Sequence, residues 1–165
     1  MDDDYRRNKI WEIAYDTYYY IYFEELLSDT LVTTWSRLDE YSKVILAVTS
    51  AASTWALWQQ PRWRTAWAVV AAIGTIIAIL HLALGITYHL RDLVQARNRL
   101  LRLRLEMQTF RKRMELSPDF SVKDFEDELL NFRKRYADDC FKTTDLFETK
   151  KLRERVQTFL DSQVT

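Results

Sequence analysis

Residues 44–90 contain no Asp or Glu, and Arg62 and Arg64 are their only strong bases. Residues 44–61 carry no charge at all, and 65–90 carry only the titratable His81 and His89. An α-helix rises 1.5 Å per residue, so crossing a hydrocarbon core of about 30 Å takes roughly 20 apolar residues. The segment 65–90 exceeds that length. The segment 44–61 reaches only about 27 Å and spans if Lys43 snorkels toward the headgroups. The pattern predicts a two-span membrane hairpin over 43–90, with spans at about 43–60 and 65–90. The competing reading is a hydrophobic hairpin at the centre of a soluble bundle. Helices apolar all round are buried in protein or in lipid, and about 120 remaining residues barely supply a protein shell.

With two Gly and two Pro in 165 residues there is little material for the tight turns that sheets need. The expected class is therefore all-α. Cys140, the single cysteine, excludes an intrachain disulfide framework and a cysteine-based structural zinc site. Lys plus Arg and Asp plus Glu balance at 24 each, but the charges are zoned. Residues 1–43 carry 5 bases and 10 acids, and residues 91–165 carry 17 bases and 14 acids. The chain divides into an acidic, aromatic N-terminal region (1–42), the hairpin (43–90), a basic juxtamembrane helix (91–116) and a C-terminal helical hairpin (117–165).

Between the apolar segments lies a polar turn, residues 59–64, flanked by Trp55, Trp58, Trp63 and Trp67. Tryptophan clustered at the end of a span marks a membrane–water interface. Basic residues set the orientation. Arg91, Arg97, Arg99, Arg102 and Arg104 follow the second span, and Arg37 and Lys43 precede the first. Both termini are expected in the cytoplasm, with the first span an internal anchor rather than a signal peptide.

Helices associate in lipid through small residues that let backbones approach. Candidates for span packing or a pore wall are Ser50, Ser53, Thr54, Gly74, Thr75, Ala78, His81 and Gly85. Small-xxx-small pairs occur at Ala47/Ala51, Ser50/Thr54, Ala71/Thr75 and Gly74/Ala78. Two helices cannot enclose a water path, so any channel requires several copies. His81 lies nine residues before Leu90, at an expected depth of about 14 Å. At that depth an imidazole is either a functional group or a neutral donor to a neighbouring helix. His89, beside Tyr88, reads as an interfacial anchor.

The second span is expected to continue as one long helix, with Leu93, Ala96, Leu100, Leu103, Met107, Phe110 and Met114 at heptad spacing. Around that seam Arg97, Arg99, Arg102, Arg104, Arg111, Lys112 and Arg113 form a basic cluster, which reads first as attraction to anionic lipid. No specific nucleic acid is predicted, because no recognition module accompanies the cluster. In the N-terminal region Trp11, Tyr15, Tyr18, Tyr22 and Leu26 share one helical face. That acidic helix is expected to pack against the basic one, with Ser28 capping a new helix that leads into the first span. Ser121 and Asp124 form a weak capping box, and a last helix is expected after Thr143 or Thr144.

Glycines only at 74 and 85 exclude the glycine-rich phosphate loops. The two histidines are not spaced as metal ligands, and Asp138 and Asp139 beside Cys140 disfavour a thiolate nucleophile. No enzyme, cofactor or metal is expected.

An aromatic-basic start (residues 5–11), a small-residue first span (44–58), a brief polar turn, a second span (65–90) and a long basic helix (91–114) resemble the SLATT family. These are two-transmembrane effectors associated with prokaryotic nucleotide-signalling and conflict systems. The likeness is one of layout over about residues 5–114. It implies an oligomeric inner-membrane effector of an anti-phage defence system that perturbs or permeabilises the membrane. Here no sensor domain is appended, so the resemblance implies a separately encoded cytoplasmic partner. The implied partners are membrane lipid, further copies of the chain and that defence protein. The alternatives are a passive anchor or adapter for a soluble complex and a soluble interaction protein.

Overall fold

The computed structural model describes residues 3–56, 64–117, 121–140 and 148–164, and every element in it is an α-helix. These are α1 (Asp3–Ala56), α2 (Arg64–Ala83), α3 (Ile86–Leu116), α4 (Val122–Cys140) and α5 (Lys150–Val164). The chain divides into one unit of Met1–Leu31 with Leu93–Thr165 and a second of Val32–Asp92.

α1 runs uninterrupted for 54 residues, so the expected fresh start at Ser28 does not occur. Ser28 is instead a buried position of a continuous helix. Nothing between Asp3 and Ala56 is Gly or Pro, so the backbone meets no breaker. Its buried positions Ile10, Ala14, Thr17, Ile21, Glu25, Ser28 and Leu31 in the first unit, and Trp35, Asp39 and Ser42 in the second, recur at three- and four-residue steps, with Phe23 and Leu27 buried beside them.

In the first unit α1 and α3 run antiparallel. Arg97 meets Asp29 at 2.8 Å, Arg104 meets Glu25 at 2.9 Å, and Arg111 lies over Tyr15 and Tyr18. The acidic and basic helices therefore pack as expected. α4 runs antiparallel to α3, held by Arg113 to Glu128 and by Arg135 to Glu106 at 2.5 Å. The core joins Ile10, Ala14 and Ile21 of α1, Leu103, Met107, Phe110 and Met114 of α3, and Leu129 and Phe132 of α4. Phe110 is its centre, with ring centroids 5.2 Å from Phe125 and 5.5 Å from Phe132. α5 attaches to α1 through Tyr19, which donates to Asp161 at 2.5 Å and accepts from Gln157. Thr149 caps α5 by accepting the Leu152 amide at 3.2 Å, and Thr143 and Thr144, the expected start of this helix, lie outside the described residues. α4 thus lies against the long basic helix α3.

Of the expected aromatic face of α1, Trp11 and Tyr18 pack against the edge of the core. Ile10, Ala14 and Ile21 carry the apolar contact, and Tyr15, Tyr18 and Tyr22 flank it beneath arginines. Tyrosine has an apolar body and a polar tip, which suits a rim where the ring face meets a guanidinium.

In the second unit the last part of α1 lies antiparallel to α2. Ser42 meets His81, and Thr49 meets Gly74. The expected single helix through residue 90 is broken. α2 ends at Ala83, Gly85 adopts a φ of 55°, and α3 begins at Ile86. A left-handed residue just past a helix end is the common glycine stop, since a Cβ is disfavoured there.

Phe110→Ala removes a fully buried ring from the middle of the first unit's core. It should lower unfolding stability by about 3–5 kcal/mol, read by denaturant titration. A loss below about 1 kcal/mol would place the core elsewhere.

Candidate functional site

Among the described residues one helix, Thr65–Ala83, is long and apolar enough to cross a membrane, and only 6% of its window is buried. Its covered positions are Trp67, Val70, Ala71, Gly74, Ile77, Ala78 and His81, which follow a single helical face. The other faces are exposed aliphatics, among them Val69, Ile73, Ile76, Ile79, Leu80 and Leu82, with Leu82 79% exposed. The paired stretch of α1 repeats the pattern. Leu46 and Thr49 continue its covered stripe, and Val44, Ile45 and Val48 are exposed.

Burying an aliphatic side chain is worth about 1.5–3 kcal/mol, so removing six half-exposed ones on α2 from water would gain roughly 5–9 kcal/mol. That is comparable to the whole stability of a domain, and soluble monomers seldom leave such a patch uncovered.

The contact between the two helices is close. A Cβ on Gly74 would fall 2.7 Å from Thr49 Oγ1 and 2.9 Å from Thr49 Cβ. Gly74 is therefore a packing residue within the pair, as its sequence environment suggests. Ala78 is half-buried on the same face. Thr75, by contrast, is exposed and returns its hydroxyl to the Ala71 carbonyl at 2.9 Å. Ser50, Ala47 and Ala51 are exposed. A Cβ added to Gly85 would meet nothing within 4 Å, so this glycine terminates α2 rather than packing. The side chains of Ser53, Thr54 and Trp55, and the whole of residues 57–63 with Trp58 and Trp63, lie outside the described residues. Trp67 is half-buried on α2.

At the end of α2 the pair becomes polar. The break at Leu84 and Gly85 puts His81 in the last turn of α2, not in mid-span. Its Nδ1 lies 2.8 Å from Ser42 Oγ, and its Nε2 lies 3.8 Å from Asp39 Oδ1. Lys43 Nζ donates to Asp39 Oδ2 at 2.6 Å. Ser42 Oγ also donates to the Asp39 carbonyl at 2.8 Å. His89, an expected interfacial anchor, stacks on buried Trp35 with centroids 5.4 Å apart.

A serine, a histidine and an aspartate thus meet, but their arrangement is not that of a nucleophilic triad. Ser42 is buried and bonds its own helix backbone, and the 3.8 Å separation from Asp39 is too long for an orienting hydrogen bond. No group of three or more potential metal ligands occurs among the described residues. Asp39, Ser42 and Thr49 escape a search for apolar periodicity because they are polar residues on the covered stripe. Their three- and four-residue steps from Trp35 are the signal that locates them.

The basic cluster of α3 is largely engaged within the first unit. Arg97, Arg104 and Arg113 pair with acids, and Arg104 and Arg111 lie over tyrosines. Arg99 has a partner as well, and Arg102 and Lys112 remain exposed. Burial pushes the Glu25 carboxyl above its ordinary 4.5, with Arg104 and Arg97 opposing the shift and Asp29 adding to it. The hydrogen bond from Arg135 holds Glu106 below 4.5.

Comparison with protein-family models, curated proteins and solved structures gave no match.

Gly74→Ala should open the seam at a cost of about 1–3 kcal/mol, the range for overpacking. Thr49→Gly removes all three opposing atoms and should restore most of that loss, measured by unfolding in detergent. Equal stability of Gly74→Ala and the wild type would contradict this packing. The carboxylates give opposite pH slopes. Glu25 binds its proton more tightly when folded, so wild-type stability falls as pH rises just above 4.5 and Glu25→Gln gains on it. Glu106 binds its proton less tightly when folded, so the deficit of Glu106→Gln opens as pH rises toward 4.5. Denaturation of the three proteins between about pH 3 and 6 reads both signs.

Proposed function

We propose that this chain is an oligomeric integral membrane protein whose α1 end and α2 form a two-span hairpin. Its first unit, in the cytoplasm, receives a signal from a separately encoded partner, and the hairpin bundle responds by perturbing the membrane. On this reading it is a non-enzymatic effector or accessory protein of a prokaryotic defence system, held in the inner membrane with both termini inside. The observation that carries the membrane part is the face of α2, apolar over Thr65–Ala83 and almost wholly uncovered. Its antiparallel pairing with the apolar end of α1 supports a hairpin rather than a single span. The basic residues beyond each apolar segment support the orientation.

The defence assignment rests on the SLATT-like layout alone. A separate core around Phe110 also supports a second role, that of an anchor which docks a soluble complex at the membrane without acting on it.

Alkaline carbonate extraction of membranes from expressing bacteria tests the first claim. The chain should stay in the pellet and dissolve only with detergent. Recovery in the soluble fraction would reject both membrane readings. Replacing residues 44–83 with an unrelated two-span hairpin separates effector from anchor. Dissipation of membrane potential on overexpression should disappear in the swapped chain, and the anchor reading requires that the swap leave function intact.

A further inference from the structure

Two adjoining cavities of about 270 and 320 Å³ open along the groove between α1 and α4 in the first unit, and they share Ile13 and Arg133. The two helices run parallel there. Arg6 meets Glu126 at 2.8 Å at one end, and Tyr20 shares a cavity with Ala137 at the other. The floor is aliphatic, from Ile10, Ile13 and Leu129, whereas Tyr5, Tyr20 and Leu130 at the edges are each more than half exposed. α1 and α4 thus cover the core with one face and leave a second, partly apolar face open.

The charges of the groove single out its occupant. Arg6 is engaged by Glu126, and Lys9 by Glu12 at 2.6 Å. Arg133 and Asp16 remain. Both line the second cavity, and neither has a hydrogen bond or an ion pair among the described residues. With Arg6 and Glu126 at one level, Arg133 is level with Ile13, about 4.5 Å along the axis from Asp16.

A strongly acidic or basic partner meets no net charge here, because Arg6, Lys9 and Arg133 are matched by Glu126, Glu12 and Asp16. A patch that holds one unpaired base and one unpaired acid within a helical turn is instead complementary to itself, as an isologous interface requires. With a two-fold axis along the groove, α1 of each copy faces α4 of the other at the same level. Arg133 of each chain then meets Asp16 of the other, and the exposed edges of the groove are covered.

We propose that the α1–α4 groove is the seat of a second copy of this chain, joined by reciprocal ion pairs between Arg133 and Asp16 over an aliphatic floor. From Tyr5 to Tyr20 the groove is about 22 Å long and two helices wide, roughly 450–500 Å², against about 800 Å² per partner in a standard interface. A contact of that size gains from tethering, which raises the effective concentration of the second copy. In that respect it rests on the membrane reading proposed above, since spans held in one bilayer supply the tether.

Leu130→Cys in the full-length chain carrying Cys140→Ser places a single thiol at the edge of the groove. A short bismaleimide applied to broken cells should yield a covalent dimer. Arg133→Glu and Asp16→Arg, each added to that chain, should lower the yield about tenfold, because like charges then face each other at both contacts. Co-expressing the two charge variants under different tags makes both contacts opposite in sign again. The dimer should return to its former level, as mixed-tag species only, which also shows that each variant folds. A dimer indifferent to either reversal, no recovery in the mixed cells, or a crosslink from Leu130→Cys only to some other protein would overturn the proposal. The charge-dependent dimer found in the soluble fraction alone would reject the membrane reading and keep the groove contact. A membrane-bound chain without it would do the opposite.

Discussion

The structure depends on α1, unbroken for 54 residues, finding a partner for its covered face in each unit. The covered positions step by three or four residues, through Ile10, Ala14, Thr17, Ile21, Glu25, Ser28 and Leu31 in the first unit and Trp35, Asp39, Ser42, Leu46 and Thr49 in the second. What changes along the helix is the face turned outward. Around Asp3–Leu31 the uncovered positions include charges and tyrosines, whereas beyond Lys43 they are uncharged and include Val44, Ile45 and Val48. Water suits the first of these surfaces. The second, together with the aliphatic faces of α2, is suited to lipid.

The covered partners change in step. In the first unit the stripe meets large side chains, Leu103, Met107 and Phe110, as a soluble core requires. In the second it meets Gly74 and His81. Between apolar helices in lipid there is little hydrophobic drive, so close backbone approach and hydrogen bonds carry the contact. The 2.7 Å approach at Gly74 and the Ser42–His81 hydrogen bond are contacts of that kind.

Charge zoning has a related explanation. The acidic start of α1 and the basic α3 meet along their contact, at Arg97 with Asp29 and Arg104 with Glu25. Sequence made the zones plain, along with the all-α class, the apolar segments, the heptad seam of α3 and the packing of acidic on basic helix. It misplaced features that depend on a partner helix. Ser28 has the chemistry of a cap, but no competing breaker halts α1, so it is buried within the helix. Residues 65–90 are apolar without interruption, yet Gly85 in the left-handed region divides them, and composition does not distinguish a packing glycine from a terminating one. Within the basic cluster of α3, the partners of Arg97 and Arg104 on α1 and of Arg113 on α4 follow from helix pairing, which charge zoning alone does not specify. Asp39 and Ser42 were hidden because polarity on a covered stripe is invisible to hydrophobic periodicity.

On the membrane reading, the exposed aliphatic faces of α1 and α2 lie in hydrocarbon. Collisional accessibility of single spin labels in phospholipid vesicles tests this most directly. Labels at Val48, Ile73 and Ile76 should collide freely with oxygen and scarcely with a water-soluble nickel chelate, and a label at exposed Thr109 on α3 should show the reverse. If the three apolar sites meet the nickel chelate as readily as Thr109, or are shielded from both reagents, those faces lie in water or against protein, and the membrane reading fails.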